Sequence, residues 1–285
     1  MSEAECVKSQ RSSRKGRDVF KLLEQNMPIG KRRHWFHRTF VGGYTLALAG
    51  WLQACREAVR PALTGEELPR LRRPRIGAHG LSYHAYEDNP ATITLNLRRR
   101  QPGSSFVLVG LGGLVASFAA PLGATGNIFS ARGPVLQYFH YPGYGNALYV
   151  CPNYQAGARL AISSTKQTDP GGEFTLSAVE ILDANKLQAL SINYPKADQP
   201  QRSDAVTTTG PALLLAWWWG DADGKRAHTA RPGPGFVVLE SILLRGGLVQ
   251  CCLAYRLVEE AGSYDITWQS SPKQGAILWL AALQS

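Results

Sequence analysis

The sequence predicts an all-β protein, a two-layer antiparallel β-sandwich preceded by a basic, partly helical N-terminal extension. Three observations carry this. From about residue 90 onward, short runs of β-branched, aromatic and small residues are punctuated by Gly, Pro, Asn and Asp every eight to twelve residues, the texture of a sandwich. Within those runs the apolar positions follow a period of two. Charge, finally, divides the chain. Residues 1–75 hold sixteen Lys and Arg against seven Asp and Glu, whereas residues 76–285 hold fifteen against fourteen. The formal charge of +10 therefore belongs to an extension over 1–75, and a nearly neutral sandwich domain is expected over 76–285.

Composition narrows the class further. With 285 residues, 44% hydrophobic and 18% charged, the chain can bury a sizeable core, which excludes wholesale disorder. No run of about eighteen residues is apolar throughout, which argues against a multi-span helical membrane protein. Five scattered cysteines, Cys6, Cys55, Cys151, Cys251 and Cys252, do not make a disulfide framework. The neutral body lacks the basic stripe of a nucleic-acid binder, so no specific nucleic-acid partner is expected.

In the extension, Arg11, Arg14, Lys15 and Arg17, then Lys31, Arg32, Arg33 and Arg38, then Arg70, Arg72, Arg73 and Arg75 form clusters suited to an anionic surface. Between the second and third clusters lies the uncharged stretch 39–55, TFVGGYTLALAGWLQAC. Its order of basic, apolar and small residues is that of a secretory signal when counted from Met27. Phe36, Phe40, Tyr44, Leu48, Trp51, Leu52, Cys55 and Val59 also recur at helical spacing, which fits an amphipathic helix over about 34–60, packed on the body or lying on a membrane surface. An exported or cell-surface location follows if translation starts at Met27, and a cytoplasmic one otherwise.

The strands expected are 91–97, 105–111, 114–118, 147–151, 158–163, 173–182, 212–219, 235–239, 248–257, 262–268 and 275–283. In 173–182, Phe174, Leu176, Ala178 and Glu180 share one face, opposite Thr175, Ser177, Val179 and Ile181, so this strand should lie inside its sheet. The last strand sets Ile277, Trp279, Ala281 and Leu283 against Leu278, Leu280 and Ala282. Neither face suits water, and the helical extension is the expected cover. Adjacent Cys251 and Cys252 point to opposite faces and read as core filling.

Several of these features occur in a characteristic order: SSFVLVGL, the pair Gly126-Asn127, ALYVCPNYQAGA, GEFTLSAVEI, TTTGPALLLAWWWGD, the turn Pro234-Gly235-Phe236, and LAYRLVEEAGSYDITW before a final apolar strand. From about Pro102 to Gln284 the chain resembles a jelly-roll, concanavalin-like β-sandwich module of exported bacterial proteins and phage tail proteins. The resemblance implies a jelly-roll-like fold and implies function only weakly. Leu122-Gly123-Ala124-Thr125 stands where similar modules carry an Asp-containing loop, which counts against a calcium or sugar contact there.

The candidate ligand-binding residues are Trp218, Tyr138, His140, Tyr141, Tyr144, Asp221, Asp223 and His228. In the tract 217–219, Trp218 points away from Trp217 and Trp219, so at least one indole faces outward unless covered. An outward indole stacks on sugar rings, and burial in the core is the competing outcome. The loop YFHYPGYG at 138–145 offers a second aromatic rim. Asp221-Ala222-Asp223-Gly224 opens like a calcium loop, but Lys225 and Arg226 stand where further oxygen ligands belong, so a plain turn and no metal or cofactor are expected. The six histidines show no zinc spacing, and no G-x-S-x-G, phosphate loop or dinucleotide fingerprint occurs. Glu173, Glu180, Asp183 and Glu240 are left as carboxylates that a glycan-cleaving enzyme could use. The reading that follows is a non-catalytic binding module for carbohydrate or a cell-surface polymer. A self-associating structural subunit of a surface or phage-tail-like assembly is the alternative.

Overall fold

The computed structural model describes residues 73–85, 91–96, 105–123, 127–152, 154, 159–164, 172–221, 225, 227–243 and 250–285. The extension expected over 1–75, with its helix or signal over 34–60, lies outside the described residues apart from its last three positions, as does Asp223.

The described chain is all-β and its sheets are antiparallel. The first half contributes β1 (Arg75–His84), β2 (Ala91–Asn96), β3 (Ser105–Leu114), β4 (Leu122–Gly123), β5 (Ser130–Gln137), β6 (Tyr144–Pro152), β7 (Arg159–Ser164) and β8 (Phe174–Leu182). The second half contributes β9 (Lys186–Asn193), β10 (Val206–Thr208), β11 (Ala212–Gly220), β12 (Thr229–Pro232), β13 (Val237–Ile242), β14 (Cys251–Val258), β15 (Gly262–Tyr264), β16 (Trp268–Ser271) and β17 (Ala276–Gln284).

The halves repeat one topology. The first builds a five-stranded sheet in the order β1-β8-β3-β6-β5 and a small sheet β2-β7-β4. The second builds the order β9-β17-β11-β14-β13, strand for strand the same sequence of first, last and middle elements. Its small sheets, β10-β15 and β12-β16, match β2-β7-β4 with the middle strand divided in two.

Three apolar cores follow from the alternation of side chains. Leu108, Leu148, Val150, Val179 and Ile181 of the first large sheet share one core with Leu213, Leu215, Trp217, Trp219, Leu253 and Trp279 of the second. The other face of the first sheet, with Val107, Val109, Leu111, Phe174 and Leu176, meets Ile93, Phe129 and Ile162. The other face of the second, with Leu214, Trp218, Cys252, Leu278 and Leu280, meets Val206, Ala230, Ile266 and Trp268. Each large sheet is thus apolar on both sides. This explains why β11 (ALLLAWWWG) and β17 (AILWLAALQ) are nearly continuous apolar runs, as strands covered on both faces are. Val206, Ala230, Ile266 and Trp268 of the same half lie over one face of β17; the helical extension expected as its cover lies outside the described residues.

Within the shared core the indoles fit notches in β3. A Cβ added at Gly110 would lie 2.9 Å from Trp217 Nε1, and one added at Gly112 would lie 2.7 Å from Trp219 Nε1. The Trp217 indole N–H donates to Ser177 Oγ at 3.1 Å, and that of Trp279 donates to Asn146 Oδ1 at 2.6 Å. A polar atom thus receives each of these two buried donors.

The edges differ. β5 is exposed along most of its length, contains Pro134, and slips register between Arg132 and Leu136, where Gly133 adopts φ 71°. Such a proline and bulge are tolerated at an edge and discourage further pairing.

Candidate binding site

The site is built where three strands end. β5 runs into Tyr138, and the chain turns back through Gly143, at φ 90°, into β6. Tyr138 N–H donates to Tyr144 O at 2.8 Å and Gly143 N–H donates to Gln137 Oε1 at 3.2 Å, closing the loop on itself. β9 ends before Tyr194, and β11 ends before Asp221, whose N–H donates to Gly275 O at 3.0 Å.

These ends converge on one phenol. Tyr194 donates its O–H to Asp221 Oδ2 at 2.5 Å, and the Tyr194 hydroxyl oxygen accepts Phe139 N–H at 3.1 Å. The Phe139 ring lies on that of Tyr194, with centroids 4.3 Å apart and planes 11° apart, while Tyr138 meets Tyr194 edge-on at 6.0 Å. The Lys196 ammonium stands over Phe139, 5.7 Å from its centroid, a cation–π arrangement. Phe139 is 57% exposed. The result is an open aromatic surface anchored from beneath by a carboxylate.

Electrostatics fit that anchoring. Burial raises the Asp221 pKa above the usual carboxylate range, opposed by the Tyr194 hydrogen bond and the His140 imidazole. Burial and the bond to Asp221 raise the Tyr194 pKa, keeping its proton in place as the bridge. Tyr138 is raised chiefly by burial, and its hydroxyl is buried without a hydrogen-bond partner among the described residues.

Of the residues singled out from sequence, Tyr138, His140 and Asp221 come together here. His140 is exposed, while Tyr141 and Tyr144 are half-buried against the shared core and form the base of the loop. His228 is buried and pairs with Gln274, Nδ1 to Nε2 at 3.2 Å; Gln274 precedes the glycine that holds Asp221. Trp218 must be corrected. It points away from Trp217 and Trp219, as alternation requires, but all three indoles are fully buried, because Val206, Ile266 and Trp268 cover its side of the sheet. It offers no platform. Phe139 and Tyr194 do so instead. Phe139 was visible inside YFHYPGYG, whereas Tyr194 follows a strand that the spacing of turns did not reveal.

The remaining carboxylates are engaged in structure. Glu240 pairs with His79 at 2.8 Å and Asp183 with Arg75 at 2.8 Å. Glu180, fully buried, accepts Ala78 N–H at 2.6 Å and the Tyr154 hydroxyl at 2.5 Å. It fills the bulge of β1 between Ile76 and His79. Burial pushes its pKa up to about 6 from 4.5, against the Ala78 hydrogen bond and the Arg75 charge. The folded state therefore binds the proton more tightly than the unfolded chain. Stability from this group is greatest below about pH 4.5 and falls as pH rises to about 6, by about 2 kcal/mol at most. Thermal unfolding of the wild type and Glu180→Gln between pH 4 and 7 should show the wild type losing stability relative to the variant across that window. A constant difference would refute the assignment.

Among the described residues, no group of three or more His, Cys, Asp or Glu is arranged to hold a metal ion. Comparison with known proteins returns no match: no family model fits the sequence, and no curated protein or solved structure is similar to it.

Proposed function

We propose that the described chain is a jelly-roll-like sandwich module, doubled within one polypeptide, that binds carbohydrate or a related cell-surface polymer without acting on it. The observation that carries this reading is the exposed Phe139 ring, laid on Tyr194 and fixed through Asp221. A rigid, exposed ring offers an apolar face to the C–H side of a sugar at little cost in ordering. The Asp221 carboxylate is occupied by Tyr194, and its role is to hold the platform rather than to transfer a proton.

Retention on a printed array of neutral, acidic and amino-sugar oligosaccharides tests this, with Phe139→Ala beside the wild type. The variant is expected to lose about tenfold in affinity, in line with the roughly 1–3 kcal/mol that a stacking aromatic contributes. Retention of no glycan, or unchanged retention by the variant, would overturn the reading.

The second reading, self-association into a structural assembly, is favoured by a different observation. Edge strand β13 exposes Val237 and Val238, at 56% and 45%, and Leu257 on neighbouring β14 is 52% exposed, an apolar edge of the kind that pairs with copies. Sedimentation over a hundredfold range of concentration separates the two, because only this reading requires a rise in mass.

A further inference from the structure

The segment that follows Tyr194 and Lys196 lines an open pocket of about 390 Å³ between residues 197–201 and 267–274, within the size range of small-ligand sites, roughly 300–1,000 Å³. None of the residues singled out from the sequence lines it. Its floor is buried and polar: Gln201, Trp268 and Gln274 are 8%, 2% and 3% exposed. The floor is also braced. Gln201 Nε2 donates to Lys196 O at 2.8 Å and to Gln199 O at 3.1 Å, and Trp268 N–H donates to Gln201 O at 2.7 Å. Gln201 Oε1 and Trp268 Nε1 remain without partners among the described residues. Around the rim stand the exposed side chains of Asp198, Gln199, Gln269 and Lys273.

This chemistry discriminates between ligand classes. On the rim, the exposed carboxamide of Gln269 presents donors and an acceptor together, which is what a hydroxyl, itself donor and acceptor, requires. The Gln201 amide is already spent on Lys196 O and Gln199 O and braces the floor. Phosphate or sulfate calls for donors alone, and on this rim the Asp198 carboxylate offsets the attraction of Lys273. An apolar ligand would leave the carboxamides unmatched. A ring bearing several hydroxyls satisfies both kinds of group.

The pocket and the platform are built from the same two stretches of chain. One short segment carries Tyr194 in the stack, Lys196 over Phe139, and Gln199 and Gln201 in the pocket. Gln274 lines the pocket while the next residue, Gly275, accepts the Asp221 N–H. We infer that the pocket is a second sugar subsite, reading the hydroxyls of one ring of an oligosaccharide whose neighbouring ring lies on Phe139. This rests on the carbohydrate reading above and adds to it a requirement for at least two linked sugars.

The test uses the full chain, the same printed oligosaccharide array with mono- and disaccharide members, and the exposed-residue variants Gln269→Ala, Lys273→Ala and Phe139→Ala. Sulfate and inorganic phosphate serve as competitors. The expected result is retention of di- and longer saccharides but not monosaccharides, weakened about tenfold by Gln269→Ala and by Phe139→Ala, and unaffected by millimolar sulfate or phosphate. Retention that falls in Phe139→Ala yet stays within twofold of wild type in both pocket variants would overturn the second subsite and leave the platform standing. Retention that falls only in the pocket variants would overturn the platform. No retention of any glycan, or displacement by sulfate or phosphate, would overturn the subsite.

Discussion

Replacing Trp217 by alanine is expected to lower the stability of the folded chain by about 3–5 kcal/mol, the range for truncating a large buried aromatic. The side chain is fully buried in the core that both large sheets share, is stacked parallel to Trp219 with centroids 6.2 Å apart, and has its N–H on Ser177 Oγ. Truncation opens a cavity beside Gly110, which has no side chain to move into it, so collapse brings little relief. Domains of this kind are stable by only about 5–15 kcal/mol, and denaturant unfolding should show the midpoint falling steeply. Phenylalanine at the same position keeps most of the volume and should lose less. Equal losses for Ala and Phe would mean that the hydrogen bond to Ser177, rather than packing, dominates.

The second large effect is expected from Gly145→Ala. A Cβ there would lie 1.8 Å from Leu136 O and 2.7 Å from its carbonyl carbon. Both are backbone atoms of the neighbouring strand, which no side-chain rotation can move aside. β5 must therefore withdraw from β6 where Gln137 pairs with Gly145, at a cost of about 1–3 kcal/mol if overpacking sets the scale. Tyr138 and Phe139 follow immediately on β5, so the Tyr138–Tyr144 hydrogen bond and the Phe139–Tyr194 stack should loosen with it. Amide exchange over 137–144 should accelerate more than exchange in β11 or β17, and glycan retention should fall as in Phe139→Ala. Uniform acceleration throughout the chain would indicate global destabilisation instead.

The sequence foretold the interior better than the margins. β8 and β17 are apolar enough to be recognised, and their alternation assigns faces correctly: Phe174, Leu176 and Ala178 lie in one core and Val179 and Ile181 in another. Cys251 and Cys252 likewise divide between two cores. Of the edge strands, 235–239 anticipates part of β13, whereas β1, β5 and β9 are not legible. β1 carries Gly77 and Gly80, β5 carries Gly133-Pro134, and such residues mark turns unless a neighbouring strand accommodates them. The stretch 114–118 has the pattern of a strand but forms the end of β3 and a 3₁₀ turn over Val115–Ser117.

The same limit explains the site. Alternation told which side of β11 Trp218 occupies, but what covers that side is decided by residues such as Val206 and Ile266, which a single strand's pattern does not reveal. Phe139 and Tyr194 are 55 positions apart and belong to opposite halves of the repeat. Their pairing depends on how the two large sheets meet, and no local spacing encodes it.

The repeated strand order has one further consequence. Because Leu108, Val150 and Val179 of one half share a single core with Leu215, Trp217 and Trp279 of the other, neither copy is self-sufficient. A protein severed at the short junction between Leu182 and Lys186 would bare a greasy wall on each fragment. Each fragment must then seek its former twin, or another copy of itself, before it can be soluble.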